Sequence, residues 1–429
     1  MRPALLVLRG TRPTPVPVGL VCRRTASTMP MASHRKTHQL QHQPPFECIA
    51  LLLQGGGALG AYQAGVYEAM AEAGIHPNWV AGISIGALNA AIIAGNPTEK
   101  RVEKLRQFWE QVTADTFWDW WQGSAVLPGL PRGFPAFTAT EGDVVRGIMS
   151  QMNAGWTMLR GVPSFFSPRF PSPWLHPTGT IEATSFYDTA KLTRTLENLV
   201  DFDRINSGAV RFSVGAVNVR SGNFVYFDTT THMIRPQHVM ASGALPPGFA
   251  AIEIDGEHYW DGGLVSNTPL QWVVDSRPRQ DTLAFQVDLW SARGEFPGDV
   301  SHVETRRKEI QYSSRTRANT DSFKYAQRMR NTVATLLDNL PTDLKNGPEA
   351  KALSTIADRK VYNIVHLIYR ARNYESHSKD YEFSRSSMET HWRAGYHDTV
   401  RTLRHREVLQ RPTNCEGVAT FDLENDGRE

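Results

Sequence analysis

The stretch Trp79-Val-Ala-Gly-Ile-Ser-Ile-Gly-Ala-Leu-Asn-Ala-Ala-Ile-Ile-Ala94 indicates the architecture of this 429-residue chain. Its first residues predict a buried strand, Gly82–Gly86 predicts a tight turn, and Ala87–Ala94 predicts a buried helix. The same order occurs upstream, where a strand at Cys48–Leu53 precedes three glycines and a helical period over 58–73. Two successive strand–turn–helix units are typical of a parallel α/β sheet.

Further strands are predicted downstream, at residues 211–219, 223–227 and 283–289, with a short helix at 238–244. Residues 115–185 interrupt the alternation with aromatic side chains among many Pro and Gly residues. We expect an insertion there, either an irregular packing layer or a cap over an apolar pocket. Its aromatic residues are Trp118, Trp120, Trp121, Phe134, Phe137, Trp156, Phe165, Phe166, Phe170 and Trp174.

Charge is unevenly distributed although the formal net charge is only +3. Residues 1–46 carry seven Lys or Arg and no acid, 47–300 sum to −8, 301–411 to +8 and 412–429 to −4. We interpret these blocks as a disordered basic extension, a folded α/β domain, a basic helical region and an acidic tail. The acidic surplus on the largest block argues against a nucleic-acid partner.

The last predicted helix contains Trp392, Tyr396, Val400 and Leu403 at three- and four-residue steps, which place them on one apolar face. At the other end of the chain, residues 1–28 are expected to be translated upstream sequence, and a targeting function is the alternative.

The compartment is inferred from cysteines and apolar runs. Cys22, Cys48 and Cys415 are widely separated, which argues against a disulfide framework or zinc site and favours a reducing compartment. No segment reaches the ~20 apolar residues of a transmembrane helix. The run Ala4–Leu8 is too short for a signal-peptide core. We expect a cytoplasmic protein, and peripheral membrane contact remains open.

Gly82-Ile-Ser-Ile-Gly86 places a serine between a predicted strand and a predicted helix. A serine nucleophile needs such a sharp turn, with small residues two positions before and after it. The helix that follows directs its N-terminal dipole at any anion formed there. The pattern favours Ser84 as a nucleophile, and a tight helix-packing turn is the alternative.

Gly55-Gly-Gly-Ala-Leu-Gly60 also lies between a strand and a helix, where bare backbone N–H groups can bind an anion. A dinucleotide-binding loop is one interpretation, but it requires an acid at the end of the second strand, and residues 79–84 contain none. The other interpretation is an oxyanion hole for a tetrahedral intermediate on Ser84. Two glycine turns at the same end of adjacent strands favour the second.

A serine nucleophile needs a base, and Asp261 in Trp260-Asp-Gly-Gly263 is the best candidate. An Asp-Gly turn would explain the same residues without catalysis. A Ser-Asp-His triad would need a histidine such as His302 or His366, and His258 is nearby in sequence. None of these histidines lies in a recognisable motif.

These motifs together resemble the patatin-like phospholipase family. The matching residues are Gly55–Gly60 for the oxyanion loop, Gly82–Gly86 for the nucleophile elbow and Asp261–Gly263 for the Asp-Gly-[Gly/Ala] motif. Ala241–Pro246 is similar to the segment that precedes the aspartate in the family. The resemblance extends over residues 49–274, with the order and spacing of the motifs intact.

The resemblance implies a three-layer α/β/α fold with a mostly parallel sheet, followed by a helical C-terminal region. It implies an acyl hydrolase with a Ser84–Asp261 dyad, in which Asp261 is the general base, and it implies no cofactor. The implied glycines are Gly55, Gly56, Gly57 and Gly60 in the oxyanion hole, Gly82 and Gly86 in the elbow, and Gly262 and Gly263 in the dyad motif. Leu59 departs from the Arg or Lys of many members, which leaves a charged contact to a phosphate in doubt.

The expected substrates are lipid esters, cleaved as by a phospholipase A or a lipase. An intracellular hydroxyalkanoate polyester hydrolase and a catalytically silent lipid-binding protein are the alternatives. The expected partners are an ester substrate and a membrane or granule surface. Aromatic residues of 115–185 would line the entrance to the site, and basic residues of 301–411 would meet an anionic surface. The alternative is that the helices of 301–411 pack on the core with their charges facing water.

Overall fold

The structure is a computed structural model that describes residues 38–113, 143–313, 316–371 and 378–423. The strands within these ranges are β1 (Cys48–Leu53), β2 (Trp79–Gly82), β3 (Ser167–Pro168), β4 (Tyr187–Asp188), β5 (Arg211–Asn218), β6 (Phe224–Asp228), β7 (Ile252–Ile254), β8 (Glu257–Asp261), β9 (Thr282–Asp288), β10 (Tyr362–Ile368) and β11 (Val418–Phe421). The central sheet has nine strands in the order β11-β10-β9-β1-β2-β5-β8-β7, with β6 also paired to β5. β3 and β4 form a separate pair.

Helices flank the sheet and alternate with its parallel strands. They are α1 (Ala61–Glu72), α2 (Ile85–Ala94), α3 (Arg101–Val112), α4 (Asp143–Arg160), α5 (Ala190–Leu199), α6 (Phe202–Asn206), α7 (Pro236–Ser242), α8 (Leu270–Asp275), α9 (Val300–Tyr312), α10 (Thr316–Asn339), α11 (Thr342–Lys345), α12 (Pro348–Ser354) and α13 (Arg385–Arg404). The predicted α/β alternation is confirmed.

Six neighbouring strands, from β11 to β5, run parallel, and β6, β7 and β8 are antiparallel additions at one end. Every residue of β1 is buried, which explains its uninterrupted apolar sequence. The loops that leave the carboxyl ends of parallel strands converge at one edge of the sheet, where α/β proteins form their sites. The glycine loop and the serine elbow lie there.

Alternate residues of β1 point into different apolar layers, which gives the three-layer arrangement. Ile49, Leu51 and Leu53 pack in the larger core with α1, α2, α3 and α13. Their neighbours, including Leu52, pack in a smaller core with α8 and with Phe323 of α10. Period-2 side-chain alternation therefore assigns each helix set to one face of the sheet.

The C-terminal region contributes more than the predicted helices. β10 pairs with β9, and β11 pairs with β10, so residues 362–368 and 418–421 extend the central sheet. The latter strand falls within the segment interpreted as an acidic tail. The described residues form one compact unit.

Helix α13 packs closely on α1. A Cβ atom on Gly65 would overlap the backbone carbonyl of Trp392, and one on Gly395 would overlap that of Tyr62. Trp392 and Leu403, two members of the predicted apolar face, are fully buried. The first and last helices of the described chain, α1 and α13, therefore share one core.

The start of the folded chain also differs from the expected boundary at residue 47. His38 is buried, and the Leu40 N–H donates to the Ala73 carbonyl at 3.2 Å. Residues 38–46 therefore contact the core, while the rest of the predicted extension lies outside the described residues. No helix in the described ranges is both long and apolar enough to cross a lipid bilayer.

Candidate functional site

Ser84 occupies a strained turn between β2 and α2. Its backbone has φ 55° and ψ −125°, a left-handed conformation that non-glycine residues rarely adopt. A Cβ on Gly82 would overlap the carbonyl of Gly86, and one on Gly86 would overlap that of Leu53. The turn therefore admits no side chain at either glycine, which is the geometry of a nucleophile elbow.

The edge of β5 brings Asp261 to this serine. Gly82, the last residue of β2, is the register partner of Val214, and Asp261, the last residue of β8, is the partner of Ala216. Because β6 occupies the opposite edge of β5, β2 and β8 meet end to end along the same edge. The chain after β2 and the end of β8 therefore converge, although they are distant in sequence.

Asp261 is 2% exposed, accepts a hydrogen bond from the Gly263 N–H at 2.7 Å, and lies in the same cavity as Ser84. Burial raises the pKa of Asp261 to about 7, although the hydrogen bonds from Ser84 and Gly263 lower it. A carboxylate with a pKa near neutrality is a stronger base than an exposed one and is still ionised at physiological pH.

Three glycines place backbone donors beside Ser84. Gly55, Gly56 and Gly57 line the same cavity as Ser84 and Asp261. A Cβ on Gly55 would lie 3.0 Å from the Ser84 Cβ. The N–H groups of Gly56 and Gly57 have no hydrogen-bond partner among the described residues, so both are available to an anion.

Gly60 has a different environment from the other glycines of this loop. It does not line the cavity, its carbonyl accepts from the Asn89 side chain at 3.0 Å, and a Cβ there would lie 2.6 Å from Ile85. Gly262 similarly lies against the Gly215 carbonyl. Gly60 and Gly262 therefore allow close packing of neighbouring segments and do not line the cavity.

Asn267 fixes the glycine loop, and the sequence analysis missed it. Its Oδ1 accepts from the Gly55 N–H at 3.1 Å, and its Nδ2 donates to the carbonyls of Gly55 and Tyr312 at 3.1 and 3.0 Å. Trp290 Nε1 also donates to the Gly55 carbonyl at 3.0 Å. The one available signal was an Asn-Thr-Pro sequence shortly after Asp261.

The elbow is supported from behind by α7. The backbone N–H of Ser84 donates to the carbonyl and the hydroxyl of Ser242, each at 3.1 Å. Ser242 lies in the Ala241–Pro246 segment, whose later residues line the cavity. That segment therefore both holds the turn and forms part of the cavity wall.

The cavity has a volume of about 470 Å³ and a mainly apolar wall. Phe166 contacts Tyr187, Phe249 and Phe383 with ring centroids 5.0 to 6.5 Å apart. The predicted cap residues Phe165 and Phe166 therefore line an apolar pocket, whereas Phe170 and Trp174 are exposed. The aromatic residues between 118 and 137 lie outside the described residues.

The histidines of the alternative triad lie elsewhere. His258 is exposed on β8, His302 pairs with Asp299 at 2.9 Å, and His366 lies at a separate cavity beside β10. Within the described ranges, no histidine lines the cavity that contains Ser84. The geometry therefore favours Asp261 as the group that acts on Ser84.

Comparisons with known proteins indicate the family of this chain. A family model described as patatin-like phospholipase matches residues 51–273, and one described as patatin phospholipase matches residues 310–415. Among solved structures, the crystal structure of VipD from Legionella pneumophila is similar at a TM-score of 0.36 and 16% identity, covering 83% of this chain and 67% of that one. The comparison with curated proteins found no match. Because the first model matches more than half of the chain, the chain belongs to the patatin-like phospholipase family, a family of lipid ester hydrolases.

Proposed function

We propose that this chain is a serine acyl hydrolase that cleaves carboxylic esters of lipids with Ser84 and Asp261. One observation carries the proposal: Ser84 and the buried carboxylate of Asp261, whose pKa Ser84 lowers, line one cavity with Gly56 and Gly57. A nucleophile, a base and oxyanion donors are thus within reach of one bound ester.

The reaction proceeds in two halves. Asp261 takes the hydroxyl proton as the Ser84 Oγ attacks the ester carbonyl, and the N–H groups of Gly56 and Gly57 stabilise the oxyanion. The alcohol leaves with the proton from Asp261, and the acyl group remains on Ser84. Asp261 then deprotonates a water molecule, which attacks the acyl carbonyl. The bond from that carbonyl to the Ser84 Oγ breaks, Asp261 returns the proton to the Oγ, and the acid is released.

The apolar wall supports an acyl chain as the group bound beside Ser84. A volume of about 470 Å³ lies within the usual range of small-molecule sites. Lys308 lines the cavity, but its ammonium pairs with both carboxylate oxygens of Asp380 at 2.9 Å. The wall therefore selects for apolar surface more than for charge.

The test is the hydrolysis of a short-chain p-nitrophenyl ester and of a dispersed phospholipid. Ser84→Ala and Asp261→Asn should each lower turnover by about 10³-fold or more, and the double variant should lose no more than either single one. Asp255→Asn, in an exposed turn, is the control and should retain full activity. Near-wild-type turnover by Asp261→Asn would contradict the dyad.

A further inference from the structure

A group of large apolar side chains is exposed beside the catalytic cavity. We name it the apolar rim and define it as Met158, Leu159, Phe170, Trp174, Leu175 and Phe186, which are 52, 77, 99, 83, 75 and 43% exposed. Scattered apolar residues are normal on a protein surface, but a group of this size marks an interaction site.

The rim is continuous with the cavity wall. Met158 itself lines the cavity, and its carbonyl accepts the Tyr187 hydroxyl at 2.9 Å. The Phe186 N–H donates to the Pro247 carbonyl, another part of the wall, at 3.1 Å. The Trp174 ring contacts the Phe186 ring at 6.5 Å between centroids. An apolar surface thus leads from solvent to Ser84.

The rim carries little charge. Residues 156–186 contain two arginines, Arg160 and Arg169, and one acid, Glu182. Covering this segment therefore removes few ions from water, and the free energy gained comes from apolar area. A hydrocarbon phase fits such a surface, whereas the basic residues of 301–411 would favour an anionic one.

We propose that the apolar rim inserts into the surface of a lipid bilayer, so that the scissile ester passes from the bilayer into the cavity along apolar surface. The inference rests on the proposed function, and it assigns the lipid contact to residues 158–186. Binding through this surface should depend weakly on ionic strength, because apolar contacts are not screened by salt.

The test compares full-length variants in sedimentation with phosphatidylcholine vesicles and in hydrolysis. Phe170→Ser/Trp174→Ser should weaken vesicle binding by about tenfold or more, since it removes two apolar side chains from the contact. It should lower hydrolysis of vesicle lipid in parallel and leave hydrolysis of a soluble p-nitrophenyl ester within about twofold.

Leu336→Ser is the matched control. Leu336 is 60% exposed near the end of α10. Nearby, Asp338 pairs with Arg359, which lies shortly before the first residue of β10. Leu336 therefore lies at the amino ends of the strands, on the side opposite the cavity. Its variant should bind vesicles as the wild type does.

Ser84→Ala separates the two proposals, because it should lose all hydrolysis and still bind vesicles. Vesicle binding unchanged in Phe170→Ser/Trp174→Ser would overturn the rim proposal, as would wild-type binding that requires anionic lipid and disappears in 0.5 M salt. The absence of wild-type vesicle binding would overturn it as well and would leave a protein partner as the occupant of the rim.

Discussion

The backbone carbonyl of Asp380 accepts a hydrogen bond from the Ala58 N–H at 2.8 Å. Residue 380 lies in the segment matched by the second family model, and Ala58 lies in the glycine loop matched by the first. Tyr381 and Phe383 extend the same contact along the cavity wall. The C-terminal region is therefore part of the candidate active site.

Gly57→Ala tests this contact. Gly57 has φ 55°, and a Cβ there would overlap the Asp380 carbonyl, so the variant must move the loop away from Ser84. We expect turnover to fall by about 10²-fold or more through displaced oxyanion donors. The control is Gly74→Ala, since Gly74 also has positive φ but no atom within 4 Å of the added Cβ. It should lose about 1 kcal/mol of stability and no activity, and equal turnover by the two variants would contradict the prediction.

The pH profile tests the state of Asp261. Because only the ionised carboxylate accepts the Ser84 proton, kcat/KM for a soluble ester should rise with pH, with its midpoint at about 7, and then level off. Stopped assays between pH 4 and 9 measure this directly. A midpoint near the ordinary value of 3.8 would show that Asp261 is solvated or is not the base.

The same shift has a consequence for stability. The folded-state pKa of Asp261 exceeds its ordinary value, so ionisation in the fold is costly, and this cost develops between about pH 4 and 7. Asp261→Asn should therefore unfold at a higher temperature than the wild type above pH 7. The difference should disappear below about pH 4.

Asn267→Ala tests the support of the glycine loop. The variant loses the hydrogen bonds that position Gly55, and we expect kcat to fall by about tenfold or more with KM little changed. Asn78 is a matched control, because its side-chain amide also makes two backbone hydrogen bonds, but at the other end of β1. It accepts from the Ile49 N–H at 2.8 Å and donates to the Glu47 carbonyl at 2.9 Å. Asn78→Ala should lose about 1 kcal/mol of stability and retain kcat.

The close contact between α1 and α13 predicts that replacing glycine by alanine affects stability in opposite directions at two helical positions, one inside this contact and one outside it. Gly395→Ala adds a Cβ that overlaps the Tyr62 carbonyl and should destabilise the fold by about 1–3 kcal/mol. Gly155→Ala in α4 adds a Cβ with no atom of the described residues within 4 Å and should stabilise the fold by up to ~1 kcal/mol. Denaturant unfolding of both variants measures the difference, and equal midpoints would contradict the close packing.

The sequence was most informative where the signal is local. β1 begins and ends where its apolar run does. The elbow around Ser84 requires small residues at a fixed spacing, which the sequence shows directly. β10 was missed, because its apolar residues are interrupted by Asn363 and His366, and so short a pattern does not distinguish a strand from a helix.

The supporting residues of the site could not be predicted in the same way. Asn267 and Asp380 act on the glycine loop through contacts made only after the sheet has formed, and no periodicity marks them. The pKa of Asp261 is likewise a property of its burial and not of its neighbours in sequence.

The position of β1 in the sheet has a consequence for synthesis of the chain. β1 is flanked by β2, which follows it closely in sequence, and by β9, which begins only at Thr282. Until all of β9 has left the ribosome, the fully apolar segment Cys48–Leu53 keeps one unpaired edge. Such an edge templates association with other chains. Fragments that end before β9 should therefore aggregate, and the nascent protein keeps this edge unpaired until β9 has been synthesised.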